Sequence, residues 1–182
     1  MVILERISEA VRSRPAWKVS YVQEYVPAGM TAGETVSGTL VLAWPDRALF
    51  TEGEPPVRSM GLEGRKVRLV DLEARSCDDH VLTDREWTRI PLVAMLDPAK
   101  ALDRFSLAVS EDALVLVPRE PGSIARTTVR PGPDGLPSEV TVEDVSGAIN
   151  RFRFSGWRPA SGLPEGWLPE PPEGVTCVSD DG

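Results

Sequence analysis

The chain carries one histidine, His80, inside the run Cys77-Asp78-Asp79-His80. An imidazole beside two carboxylates is half of a metal site, or the base of a hydrolytic constellation. Either chemistry needs more than this. Zinc and iron sites draw three or four ligands, and there is no second histidine to stand at helical or hairpin spacing from His80. No GxSxG elbow presents a serine, and neither cysteine lies in a nucleophile signature. The glycine-rich loops that cradle phosphates are missing too. The carboxylates Glu52, Glu54, Asp71, Glu73, Asp78 and Asp79 are scattered, as on a solvated surface. His80 therefore reads as a polar residue at a strand end. No catalytic residue, metal or cofactor is expected, and the chain is not expected to be an enzyme.

Cys77 and Cys177 match no zinc or CxxC spacing. An even count permits one disulfide, which would close almost the whole chain in an oxidising compartment; two unpaired thiols are the alternative.

The elements that must position these residues follow from periodicity. Ile3, Leu4, Ile7, Ala10 and Val11 recur at three- and four-residue spacing and predict a helix over 2–13, ended by Arg14-Pro15. The period then becomes two: Trp17, Val19, Tyr21 and Tyr25 share one face, and Val36, Gly38, Leu40, Leu42 and Trp44 another. Further strands are expected at 47–52, 56–61, 66–72, 74–82, 104–110, 113–118, 123–130, 138–145 and 148–155, with a last short one at 175–178. Between them, 83–102 reads as a helical segment whose apolar surface includes Leu92 and Leu96. About ten strands on short links must pair mostly antiparallel, and a sheet of that size curls. The expectation is a mainly β fold in one domain over 1–182: an open, strongly curved antiparallel sheet, or incomplete barrel, with helices as a lid.

Composition agrees. Seventeen prolines and 15 glycines in 182 residues favour many turns and short elements. A net charge of −8 argues against nucleic acid as a partner. No apolar run approaches the roughly 20 residues that span a bilayer. The start, MVILERISEAVRSR, is not a signal peptide. The chain is then either cytosolic or a mature domain whose export signal has been removed.

The order of motifs is specific where each motif alone is weak. It runs from the aromatic strand Trp17-Lys18-Val19-Ser20-Tyr21-Val22-Gln23 through Ser37-Gly38-Thr39-Leu40-Val41-Leu42-Ala43-Trp44-Pro45 and the Glu63-Gly64 hairpin to the Pro91–Leu96 helix. Ala113–Pro118, the Asp134-Gly135-Leu136-Pro137 turn, the Ser146–Asn150 hairpin and Pro171–Thr176 follow. This series resembles the LolA family, the periplasmic carriers of outer-membrane lipoproteins, from about Trp17 to Val178. The resemblance implies a periplasmic monomer with no cofactor, whose cavity receives the acyl chains of a lipoprotein or lipid. It implies an inner-membrane release complex and an outer-membrane acceptor as further partners. Family members carry a basic residue before the proline of the second strand, which helps to tie the lid shut. Here that position is Trp44, and Arg47 is the expected substitute. The same fold serves sensor modules of envelope signalling that bind a protein partner, which is the alternative reading.

The residues expected to line the cavity or its lid are Trp17, Val19, Tyr21, Leu40, Leu42, Val67, Leu69, Leu92, Leu96, Phe105, Val115 and Val117. A one-residue error in register would flip any strand's set to the other face.

Overall fold

The computed structural model describes residues 2–87 and 102–180. Its first element is α1 (Val2–Arg12), an amphipathic helix that buries Leu4, Ile7 and Val11 and leaves Glu5, Arg6, Glu9 and Arg12 in solvent. Twelve strands follow: β1 (Ala16–Val26), β2 (Glu34–Ala43), β3 (Arg47–Glu52), β4 (Arg58–Glu63), β5 (Lys66–Asp71), β6 (Ser76–Val81), β7 (Phe105–Ser110), β8 (Ala113–Pro118), β9 (Ile124–Pro131), β10 (Pro137–Asp144), β11 (Ile149–Pro159) and β12 (Val178–Ser179). A four-residue helix, α2 (Asp84–Trp87), stands after β6. The expected lid segment is thus described only at its two ends, and Leu92 and Leu96 lie outside the described residues.

All twelve strands form one sheet in the order β12-β6-β5-β4-β3-β2-β1-β11-β10-β9-β8-β7. It is two antiparallel meanders, β1 to β6 and β7 to β11, sewn together where β1 pairs with β11. The edges β12 and β7 do not meet, so the curved sheet stays open, as expected. One pairing departs from the expectation: β12 lies parallel to β6, Val178 beside Asp78. It reaches that edge through residues 160–177, which run from the end of β11 across the face of the sheet opposite the main core.

This crossing segment is a strap. Trp167 is buried with Ala16 and Ala43 on the convex face. Arg75 donates to the Glu173 carbonyl at 2.7 Å, and Arg68, itself bonded to Asp79 on β6 at 2.6 and 2.9 Å, donates from Nη1 to the Pro169 carbonyl at 3.5 Å. Residue 61 must be glycine for the strap to lie flat, since a Cβ there would run into the Trp167 carbonyl and the Pro169 ring. A disulfide between Cys77 on β6 and Cys177 secures the end of the strap.

The main core lies on the concave face, where Leu4, Ile7 and Val11 of α1 join side chains from both meanders in one buried cluster. The helix is pinned at three points. Arg6 donates to the Pro133 carbonyl at 2.6 Å, Trp17 Nε1 to the Val11 carbonyl at 2.8 Å, and the Arg12 guanidinium stands 5.0 Å over the Trp44 ring.

Candidate functional site

The sequence-predicted residues divide by how they sit on the concave face. Trp17, Val19, Leu40, Leu42 and Phe105 are buried in the main cluster, with Val67 packed at its margin. Tyr21 belongs to this cluster and also lines an adjoining hollow of about 330 Å³. The hollow opens beside it among Phe50, Met60, Leu69 and Phe152. Leu69 is 44% exposed because it stands on the wall of this hollow rather than in packed core.

Two expectations are overturned. Val115 and Val117 stand on the opposite face of β8, Val117 at 42% exposure, while Leu114 and Leu116 point into the core. The cause is the β7–β8 hairpin, which pairs Leu107 with Leu116 and Val109 with Leu114. Phe105 and Leu107 face inward, so Leu114 and Leu116 must do so too. Arg47 does not reach over the concave face; its guanidinium lies 5.4 Å above the Trp167 ring, under the strap. Trp44 instead receives Arg12 of α1.

The hollow is built by register. Hairpin pairing sets Leu40 opposite Phe50, Phe50 opposite Met60 and Met60 opposite Leu69, so an apolar row crosses four strands. Tyr21 lies against this row, its ring 5.7 Å from Phe50 and 6.0 Å from Phe152. Gly38 makes the approach possible, since a Cβ there would overlap the Tyr21 ring and the Thr51 carbonyl. From Phe152 the aromatic contacts continue through Phe154 and Trp157 to Trp17, beneath the end of α1. Phe50, Met60 and Phe152 are the apolar lining residues that reading the sequence missed, and the polar lining residues Gln23, Glu52, Arg58, Ser59 and Asn150 were missed with them. Phe50 and Met60 were within reach of hairpin arithmetic; Phe152 depends on the β1–β11 pairing, for which no local signal exists.

The rim is polar. Gln23 Nε2 donates to Asn150 Oδ1 at 3.0 Å. Arg58 meets Asp71 at 3.1 Å and Glu52 at 3.6 Å. The bonds from the Ala74 amide and from Arg58 hold the Asp71 carboxyl below the usual range. Burial, and after it the charge of Glu52, pushes the Tyr21 phenol up to about 12 from an ordinary 10.0.

That shift has a testable sign. Folding favours the protonated phenol, so its contribution is complete below pH 10 and is lost as pH rises toward 12. Urea midpoints from pH 9 to 11.5 are expected to show the wild type losing ground steadily to Tyr21→Phe above pH 10. A constant gap between the two proteins would show that the phenol is not protected.

His80 takes the bland role. Its Nε2 lies 3.1 Å from Glu86 Oε1, and Glu86 is occupied in a capping box with Thr83, accepting from that residue's amide at 2.8 Å. Cys77, Asp79 and Cys177 cluster closely, but both sulfurs are committed to the disulfide and Asp79 to Arg68. Among the described residues no nucleophile–base pair faces the hollow.

No family model matches the chain, and no curated protein sequence matches it. Solved structures do. An uncharacterised conserved protein from Thermus thermophilus superposes with a TM-score of 0.56 at 12% identity, over 98% of this chain and 97% of that one. The MucA/MucB complex of Pseudomonas aeruginosa matches with a TM-score of 0.50 at 15% identity, over 90% of this chain and 58% of that one. A LolA superfamily protein from Nitrosomonas europaea gives 0.48 at 10% identity, over 90% and 94%. At these identities what the chain shares with the Thermus thermophilus protein and with the MucA/MucB structure is the fold.

Proposed function

We propose that this chain, acting as one domain over 1–182, is a non-enzymatic periplasmic carrier that takes a lipoprotein or lipid acyl chain into the hollow of its concave face. The observation that carries the reading is the hollow itself: about 330 Å³, walled by Tyr21, Phe50, Met60, Leu69 and Phe152, and left open beside a packed core. Cavities of this size and lining are the usual form of small-ligand sites. An acyl chain leaves a membrane when another apolar volume accepts it, at about 0.8 kcal/mol per buried CH₂. The Cys77–Cys177 disulfide suits an oxidising compartment such as the periplasm. An inner-membrane release complex and an outer-membrane acceptor are the partners such a carrier would meet.

Native mass spectrometry of the purified protein, with extraction of bound lipid, tests this directly. A co-purified fatty acid, phospholipid or acylated peptide is expected. Protein that purifies clean, and that also fails to bind the neutral apolar probe N-phenyl-1-naphthylamine, would sink the carrier reading in favour of a module that binds a protein partner. Leu69→Glu locates the site. Because Leu69 is 44% exposed, the variant is expected to fold with stability near wild type and to bind the probe at least tenfold more weakly. Unchanged binding by the folded variant would move the ligand elsewhere.

A further inference from the structure

The charge at the rim of the hollow speaks to what kind of lipid head it tolerates, an inference that rests on the carrier reading. Arg58 is the one cation lining the hollow among the described residues, and two of its three nitrogens are bonded to a carboxylate outside that lining. Its Nε and Nη2 both donate to Asp71 Oδ2 at 3.1 Å, and its Nη1 lies 3.6 Å from Glu52 Oε2. Glu73 adds a third negative charge to the field around it. Three carboxylates thus lie around a single guanidinium, and of the three it is Glu52 that lines the hollow itself. An entering carboxylate would meet the charge of Glu52 in the lining and would find the Nε and Nη2 donors of Arg58 already directed at Asp71.

The same rim is well supplied for an uncharged head. Gln23 and Asn150 share one hydrogen bond of 3.0 Å, which leaves an amide carbonyl and an NH₂ outside that bond. The Tyr21 and Ser59 hydroxyls complete the lining. These groups match hydroxyls and esters, which donate and accept without a net charge.

We infer that the hollow favours lipids with an uncharged, hydroxyl-bearing head and discriminates against ionised carboxylates, with Glu52 as the discriminating residue. The test is displacement of N-phenyl-1-naphthylamine from the full chain at pH 8, using monolauroylglycerol and laurate, which share one acyl chain. Both are kept below their micellar concentrations. Monolauroylglycerol is expected to displace the probe at a concentration at least tenfold lower than laurate does. In Glu52→Gln the gap is expected to close to within about threefold, through tighter laurate binding, while monolauroylglycerol is unaffected.

Laurate binding the wild type as tightly as monolauroylglycerol would overturn the inference and leave the carrier reading intact. A preference that persists unchanged in Glu52→Gln would also overturn it, because the hydration of the head alone would then explain the difference. Failure of the probe and both lipids to bind would remove the carrier reading and this inference with it.

Discussion

Replacing both cysteines, as Cys77→Ala with Cys177→Ala, is expected to destabilise the protein by about 4–5 kcal/mol. The disulfide joins residues 100 positions apart, and closing a loop of that length removes about 4.7 kcal/mol of chain freedom from the unfolded state. The folded geometry accepts the bridge, with a Cα–Cα separation of 4.5 Å. Against a total stability of about 5–15 kcal/mol this is a large share. For a chain of this size it corresponds to a fall in Tm of roughly 10–20 °C. Scanning calorimetry of the variant beside the wild type, each with and without reductant, reads the effect. Reductant should move the wild type to the variant's Tm and leave the variant unchanged. A shift under about 3 °C would mean that Trp167 and the Arg68 and Arg75 contacts hold the strap without the bridge.

The local half of this architecture was legible in the sequence, and hairpins show why. Where a turn is short, pairing is arithmetic. The β4–β5 turn falls on Gly64-Arg65, one residue past the expected Glu63-Gly64, and the strand limits between Arg47 and Val81 lie within a few residues of expectation. The face of β8 was misread because Ala113-Leu114-Val115-Leu116-Val117 is apolar throughout, so alternation gives it no phase. The phase was nonetheless present one strand away. Glu111 and Asp112, both with positive φ, form a two-residue turn that places Ser110 opposite Ala113. Choosing Phe105 for the interior therefore commits the chain to Leu114 and Leu116, and is inconsistent with Val115 and Val117. What no local pattern contains is the pairing of β1 with β11, more than 120 residues on. That pairing brings Phe152 and Asn150 to the hollow and completes its wall. The strap carries no periodic signal in the sequence, and its role depends on a convex face that exists only once the sheet has curved.

The hollow exists because α1 fills only part of the concave face. An isolated helix of 11 residues is marginal in water, so α1 stands because of what it covers. Its deepest side chain is Ile7, 1% exposed within the main cluster. Ile7→Ala is expected to cost about 2–5 kcal/mol, the range for truncating a buried isoleucine or leucine to alanine where the surroundings collapse only in part. Denaturant unfolding gives the number directly, with the midpoint shifted and the slope unchanged if the core alone is affected. The variant should still fold, because Trp17 Nε1 continues to hold the Val11 carbonyl and Arg6 the Pro133 carbonyl. Its functional consequence runs the other way. The vacated volume belongs to the cluster that Tyr21 and the aromatic row connect to the hollow, so Ile7→Ala is expected to bind the neutral probe at least as tightly as wild type. Loss of stability below about 1 kcal/mol would show that α1 is not seated on the concave face. Loss of stability together with loss of probe binding would show that the helix forms part of the ligand site itself.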